Sequence, residues 1–468
     1  MHFNVFDTAY RKAILVLPLA AILVAGCGSG SNPSTTTQNN STTGPAFVVG
    51  TDAPMASVVS FAVQLQSIDA IDSSGNKVSL LSGTPTIDFA HYNGLQTLID
   101  MNDVPAGTYN SVSMTLGAGT IGYLNTQTGG APAIQTESAT MSQSTVTANL
   151  SSPLVITHAG APAGLRMDFD LSKSIQTDSS GQITGEVTPT FDVSAVANTD
   201  TKGYIDEFVA AVVSVNASGQ SFVVQGPHGE QFTINVNGQT EWEGSDSLSS
   251  LSTSSIVQLS GMIDAADQNM DADDVAILSQ DGFYAGGQVT YVQPATGVAS
   301  NFDMYVNSVL PTTTGVTLGQ IAQVNLTGSE KFLIYWMHNP LTQFLFNSSE
   351  LVAGQHVAIG GPASGAVNAQ AVSVNRISLR HWGFNGTIAA NSVNSTQNTF
   401  QMQINGFAGV LVPQTVTVYV TGKTGFRGGF NGMTDLSSSA NVRVVGLLLR
   451  DPTSGQIVIL AHYVDDIS

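Results

Sequence analysis

Run after run of this chain alternates apolar and polar residues with a period of two, and that pattern limits it to β structure. VVSFAVQLQSI at 58–68, TYNSVSMTL at 108–116, QFTINVNG at 231–238 and TVTVYVTG at 415–422 are rich in β-branched residues and send alternate side chains to opposite faces. Turn pairs such as Ser74-Gly75, Ala106-Gly107 and Ser454-Gly455 separate the runs. A helical period is nearly absent, and only the surroundings of Ser172–Ile175 and of His91–Met101 leave room for a short helix. The expected architecture is therefore a string of small β domains. With 468 residues, 42% of them hydrophobic, the chain has apolar material for several cores.

The first residues read as an export signal. Arg11 and Lys12 precede an apolar stretch of 13 residues, Ala13 to Ala25, which is too short to span a bilayer and suits the apolar part of a signal peptide. It ends on Leu23-Val24-Ala25-Gly26-Cys27, which resembles the lipobox of bacterial lipoproteins. Cys27 is the single cysteine of the chain, so no internal disulfide can form. The resemblance implies cleavage between Gly26 and Cys27 and acyl chains on Cys27, which would anchor the protein to a membrane. Gly28, where some lipoproteins have aspartate, implies the outer membrane by the sorting rule of Gram-negative lipoproteins. The run GSGSNPSTTTQNNSTTGPA that follows has no charge and no apolar period, and reads as a disordered tether over residues 28–45.

Charge narrows the partners. Thirteen Lys and Arg face 33 Asp and Glu, a net charge of −20. Nucleic acid is excluded by that balance, and anionic lipid headgroups are disfavoured, so attachment must rest on the acyl chains. The expected location is the cell envelope, on its periplasmic or surface side.

Between 46 and 198 three motifs occur in order. VVGTDAP at 48–54 opens a strand pair, DVPAGTYNSVSM at 103–114 turns into a strand, and LRMDFDLSKSI at 165–175 leads towards Pro189. Together they resemble the lipoprotein domain family known as domain of unknown function 4382, which implies an immunoglobulin- or transthyretin-like β-sandwich and no established activity.

The remainder repeats itself. Leu251, Val257, Leu259 and Gly261 are matched in spacing by Leu351, Val357, Ile359 and Gly361, and again by Leu436, Val442, Val444 and Gly446. Strands beginning near Val275, Val372 and Val458 follow each glycine. The second and third residues of each set share one face of a strand, the glycine ends or bends it, and the leucine plugs a barrel end. The first copy is similar to the small β-barrel modules of domain of unknown function family 5666. The fold class is thus all-β: a signal peptide at 1–26, lipidated cysteine and tether at 27–45, a sandwich at 46–198, and three small β-barrel-like modules at 203–280, 283–380 and 382–467.

Candidate chemistry is sparse. Ser74 to Lys77 fits S-x-x-K and Lys423 to Gly425 fits K-T-G, but a β-lactamase-type serine belongs at the start of a buried helix and Ser74 lies in a turn between two strands. Asp267, Asn269, Asp271 and Asp273 alternate like the first half of a calcium loop, yet Ala272 replaces the turn glycine and Leu278 the closing glutamate. They read as a solvated acidic hairpin or a low-affinity calcium site, and no other cofactor is expected. Asp52, Asp168 and Asp170 read as turn and strand-edge carboxylates bonding nearby backbone N–H groups. The eight histidines are scattered and form no H-E-x-x-H or paired Cys/His pattern, and His228 reads as a hairpin residue. Within KFLIYWMHNPLTQFLF at 331–346, Tyr335 and Trp336 either pack in a core or present faces to a sugar ring or a protein partner. The expectation is a non-catalytic, lipid-anchored binding or scaffolding protein whose partner is a polysaccharide or an envelope protein. The alternative is a carbohydrate-active or other envelope enzyme.

Overall fold

Strands supply nearly all the regular structure of the computed structural model, which describes residues 43–53, 55, 58–125, 133–158, 160–197, 203–226, 229, 231–264, 269–311, 315–334, 343–362, 371–404 and 414–467. The first part contains β1 (Thr43–Ala53), β2 (Val58–Asp72), β3 (Lys77–Ser79), β4 (Thr86–Asp88), β5 (Thr97–Pro105), β6 (Gly107–Asn125), β7 (Ala133–Met141), β8 (Thr145–Ile156), β9 (Ala163–Asp170), α1 (Leu171–Ser174), β10 (Ile175–Thr177), β11 (Ile183–Val187) and β12 (Phe191–Ala197). A four-stranded sheet in the order β12-β9-β1-β5 faces an eight-stranded sheet whose main path is β10-β11-β7-β6-β2-β3. Ala46, Val48, Leu165 and Met167 of the first sheet share a core with Phe61, Val63, Val112 and Met114 of the second. This is a two-layer sandwich.

Its smaller sheet is buried on both sides. Phe47 and Val49, alternating with Ala46 and Val48 along β1, turn away from the sandwich core and pack with Ile205 and Phe208 of the next module. A strand covered on both faces needs a continuous apolar run, and Ala46-Phe47-Val48-Val49 supplies one. β1 begins at Thr43, which pairs with Pro105, so the expected tether gives way to strand three residues early. The expected helix at Ser172–Ile175 is α1, one residue earlier, with Asp170 accepting from the Lys173 N–H at 3.0 Å. Around His91–Met101 the chain instead makes a 3-10 turn at Phe89–Tyr92 and then β5, because Thr97, Leu98, Ile99 and Asp100 are all buried between neighbours.

Three sheets follow. The first holds β13 (Ile205–Asn216), β14 (Ser221–Gln225), β15 (Gln231–Asn235), β16 (Glu241–Trp242), β17 (Ile256–Ile263) and β18 (Met270–Ser279). The meander β13-β14-β15 is antiparallel, β17 pairs with both β13 and β18, and a parallel β15–β18 pairing closes a ring of five strands. That connectivity is the five-stranded Greek-key barrel of OB-fold type. The second sheet holds β19 (Gly282–Gln293), β20 (Asn301–Leu310), β21 (Ile321–Asn325), β22 (Lys331–Ile334), β23 (His356–Pro362), β24 (Ala371–Ser373) and β25 (Arg376–Arg380). It repeats the pairings, with β24 and β25 together standing where β18 stands in the first. The third holds β26 (Trp382–Ile388), β27 (Thr399–Ile404), β28 (Gln414–Tyr419), β29 (Gly425–Arg427), β30 (Asn441–Arg450) and β31 (Ile457–Asp466), and closes through a parallel β28–β31 pairing.

The repeated residues occupy equivalent places in these sheets. Val257, Leu259, Val357, Ile359, Val442 and Val444 are all 0% exposed, on β17, β23 and β30. Gly261 and Gly446 sit where the register to the following strand shifts, and a Cβ on Gly261 would lie 2.1 Å from the Asp271 carbonyl oxygen. The third glycine, Gly361, faces the break between β24 and β25, where a Cβ would stand 3.0 Å from the Ser373 carbonyl oxygen. Leu351 and Leu436 are buried, while Leu251 is half-buried. Sandwich and barrels pack as one body, since Ile256 and Leu278 share a cluster with Tyr284 and Ala358, and Leu447 and Leu460 share one with Phe283 and Val357.

Candidate functional site

The singled-out residues do not converge. Gly26, Cys27, His228, Asp267, Tyr335 and Trp336 lie outside the described residues. Asn269 precedes β18, and Asp271 and Asp273 stand on its exposed face, Asp271 accepting from the Asn235 amide at 3.0 Å. Among the described residues no three His, Cys, Asp or Glu side chains are grouped to hold a metal ion. Ser74 lies in the turn after β2, its N–H donating to Asp72. Of the aromatic segment, Phe344 and Phe346 are buried, Phe332 meets Phe346 at 5.4 Å, and Phe344 meets Tyr419 of the last barrel at 5.3 Å. Asp52 corrects its expected role. It is 0% exposed near the end of β1, and burial pushes its carboxyl well above the usual range against the opposing charge of Arg443. The strand that carries it is covered on both faces, which a turn carboxylate would not be.

What the fold does bring together is polar, buried and centred on six consecutive residues, His91 to Gln96. His91 Nε2 lies 3.3 Å from Glu207 Oε1 of β13. The Asn93 amide donates to the Gly383 carbonyl of β26 at 2.8 Å, and Arg427 of β29 donates to the Gly94 carbonyl at 2.9 Å. The Gln96 N–H donates to Asp206 Oδ2 at 2.9 Å, while its own carbonyl accepts from the N–H groups of Asp206 and Glu207. Gly94 can make this approach because it has no Cβ: its φ is +73°, and a Cβ would stand 2.7 Å from Val445 of the last barrel. One short segment of the sandwich thus touches the first and third barrels.

The second barrel joins through His356, whose ring is 5.2 Å from His91 and 4.6 Å from Trp382. Asn307 of β20 lies beside it, Nδ2 3.3 Å from His356 Nε2. His91 and Glu207 are 3% and 4% exposed, so their charges depend on each other. Burial opposes charge on His91, but the Glu207 carboxylate and then Asp88 outweigh it and hold the imidazole above its ordinary pKa. Burial likewise works against Glu207, and His91, His356 and Arg380 overcome it, leaving the carboxyl below its ordinary value. Burial and the nearby His91 charge push His356 down to about 3.

Two further polar clusters flank this centre. Asp206 accepts from the Tyr463 hydroxyl at 3.1 Å, Arg427 stacks on the Tyr463 ring at 3.8 Å and forms a two-pronged pair with Asp465. Between the first two barrels, Glu243 accepts from Ser378 and Asp246 from Arg376, all of them buried or nearly so.

A cavity of about 530 Å³ opens beside the centre, where sandwich, first barrel and second barrel meet. Asp88, His91 and Tyr92 line it from the sandwich, Phe208 from β13, and Asn307 with Val316 from the second barrel. Asp88 is fully engaged: Ser60 Oγ donates to one oxygen at 2.7 Å and the Phe61 N–H to the other at 2.8 Å. Burial raises its pKa, and those two bonds oppose the shift. Clefts at domain junctions with mostly apolar walls and a few fixed polar groups are where small ligands bind.

Comparison with known families divides the chain along the same line. Residues 45–184 match the family Domain of unknown function (DUF4382). Residues 209–276 match a second, Domain of unknown function (DUF5666). These are the two families, in the same order, that the motifs resembled. No curated protein matches the chain. The cavity is therefore built between the DUF4382 sandwich, the DUF5666 barrel and the barrel that follows it.

Sequence reading missed the centre because nothing local marks it. His91 and Glu207 are separated by 116 residues, and Gly94 and Arg427 by 333. The one available signal was local: His91-Tyr92-Asn93-Gly94 sets polar residues and a glycine two residues before β5.

Proposed function

We propose that the protein is a non-catalytic lipoprotein of the bacterial cell envelope, anchored by acyl chains on Cys27 and carrying a rigid β body that binds or scaffolds an envelope component. The observation that carries this reading is the commitment of the buried charges to one another. Asp88 is held within the sandwich by Ser60 and Phe61, while His91 with Glu207, and Asp206 with Tyr463 and Gln96, join modules. A general acid or base needs a free path to substrate. Two closed rings and an intervening sheet of the same strand order, joined to a sandwich, suit recognition, since barrels of this type present a strand face and loops to ligands. Glycan or protein partners fit an acidic body, and nucleic acid does not. The LVAGC sequence and the lone cysteine support the anchor, and Gly28 supports the outer membrane. Among the described residues no helix is long and apolar enough to cross a membrane.

The test is fractionation of cells expressing the full chain and its Cys27→Ala variant, with labelled palmitate. The wild-type protein is expected in the membrane fraction carrying label, and the variant unlabelled and released. A variant that stays with the membrane, or a wild-type chain without label, would refute the anchor. Turnover of envelope or plant polysaccharides by purified protein would refute the non-catalytic reading.

A further inference from the structure

Among the described residues Tyr291 is the only Phe, Tyr or Trp that stands exposed, at 53%. A bulge directs it outward. Val289 points into the core of the second module, and simple alternation would send Tyr291 the same way. The register against β20 shifts between Val289 and Tyr291, so the tyrosine faces solvent and Val292 returns to the core. Tyr291 then lies directly opposite Asp303, and Asp303 opposite Gln323, in one row across β19, β20 and β21. On one side of this row the face continues with Gln293, Asn301 and Asn325. On the other side Tyr305 is 2% exposed, its hydroxyl bonded to Ser60 of the sandwich, so the packing between modules stops one row short of Tyr291.

The same strands of the other modules are occupied differently. β13 of the first module shifts register after Val212 and places Ser214 where the second has Tyr291, opposite Val223. Outer amides of that module are engaged, Gln225 donating to the Gly229 carbonyl at 3.2 Å and Asn235 to Asp271 at 3.0 Å. In the third module Thr415 donates to Gln403 at 2.7 Å, and Tyr419 donates to Asp451 at 3.3 Å with its ring against Phe344. Among the described residues nothing bonds the side chains of Tyr291, Asp303 or Gln323. The core positions of the modules repeat and this row does not, so the fold alone does not require it.

An aromatic face beside a carboxylate and an amide matches the two aspects of a pyranose. The C–H groups on the sugar's face stack on the tyrosine, and the hydroxyls round its edge bond the carboxylate and the amide. Opposed residues have Cβ atoms about 5 Å apart, which brings the ring and the carboxylate within reach of one sugar unit. Charge then selects, because Asp303 and a chain of net charge −20 disfavour uronate or phosphate groups. Size selects as well. Three strands about 4.8 Å apart, over the five residues of β21, cover roughly 200 Å². A stable protein interface takes about 800 Å² from each partner. A flat strand surface holds a free sugar weakly and suits a chain that lies across it and adds contacts on successive units.

We infer that the outer face of β19, β20 and β21 is a platform for an uncharged polysaccharide, with a pyranose stacked on Tyr291 and its hydroxyls bonded by Asp303 and Gln323. The inference rests on the binding reading above and gives it a place and a ligand class.

The experiment is native affinity electrophoresis of the full chain, in a non-glycosidic detergent, through gels holding hydroxyethylcellulose, xyloglucan, glucomannan or dextran, with polygalacturonate as the anionic comparison. At least one uncharged polysaccharide is expected to retard the protein, and polygalacturonate is expected not to. Tyr291→Ala is expected to weaken retardation about tenfold, with the thermal melt unchanged because the side chain is exposed. Tyr291→Phe keeps the stacking face and is expected to bind like the wild type, as is Ser214→Ala at the matching place in the first module. The assignment is overturned if no uncharged polysaccharide retards the folded protein, if polygalacturonate retards it equally, or if Tyr291→Ala is retarded like the wild type. Sedimentation of the same samples tests a second copy as occupant: a dimer that Tyr291→Ala dissolves would also overturn it. Glycan binding that survives Tyr291→Ala removes this site and leaves the binding reading standing, whereas cleavage of the polysaccharide overturns the reading beneath it.

Discussion

His91 and Glu207 form the most exposed weakness of the junction, because each is buried and each supplies the other's counter-charge. At 3.3 Å and an effective dielectric constant of about 20, their attraction is about 5 kcal/mol. Much of this offsets the cost of burying both charges, so the informative perturbation removes one partner only. His91→Leu leaves Glu207 charged and buried, at an expected cost of about 3–5 kcal/mol. Glu207→Gln keeps shape and hydrogen-bonding capacity and lets His91 become neutral, so its expected cost is smaller, about 1–2 kcal/mol. Urea unfolding followed by tryptophan emission is the assay, since the Trp382 ring lies 6.0 Å from His91 and reports on this place. The His91→Leu midpoint is expected to fall by on the order of 1 M. The pH dependence carries a second sign. A histidine whose folded pKa is raised adds stability that is complete below the unfolded value of about 6.5 and is lost as pH rises through the folded value. Wild-type protein should therefore lose stability on the alkaline side of that window, and His91→Leu should not. Equal midpoints for His91→Leu and wild type at pH 6, or the same alkaline slope in both, would refute the account of the pair as a mutual counter-charge.

Two further outcomes follow from the same junction. Gly94 and Gly75 both have positive φ, +73° and +85°, but a Cβ on Gly94 meets Val445 at 2.7 Å and one on Gly75 meets nothing within 4 Å. Gly75→Ala should cost only the backbone strain, about 1–2 kcal/mol, and Gly94→Ala about 1–3 kcal/mol more from forced separation of sandwich and last barrel, compared by thermal melts. Asp206 has its carboxyl pushed up to about 6, chiefly by burial and against the pull of Arg427. The folded state then binds the proton more tightly than the unfolded one, so stability should fall as pH rises from about 4 to 6, and Asp206→Asn should flatten that interval in urea titrations.

Alternation made the β class legible, and local turn chemistry made Asp170 legible as the cap of α1. The repeated Val-x-Leu/Ile/Val-x-Gly spacing marked residues that are fully buried on the inward faces of β17, β23 and β30. Reading failed where tertiary partners decide. Thr97 to Met101 permits a helix by composition, yet lies beside β1 and becomes strand. Asp52 has the sequence of a turn and the surroundings of a core. The histidines look scattered along the chain, but two of them stack ring on ring, His381 and His462 at 4.5 Å, and two more meet at the centre. Period and spacing carry information about neighbours within a strand pair, and none about which barrel will lie against which.

The His91–Gln96 segment also sets an order on how this protein can become finished. Its partners arrive late in synthesis: Glu207 first, then Gly383, and last Arg427, 333 residues after Gly94. Asp206 in turn waits 257 residues for Tyr463. A chain emerging N-terminus first can pair the strands of its sandwich early, but the corner that unites the domains is not complete until the final strands appear. Contacts of such long separation form slowly, because loop closure comes before any gain from the contact. The opening domain is completed by the closing one, so a chain cut short before Arg427 could keep the strands of its sandwich and would lack the last contact of its corner.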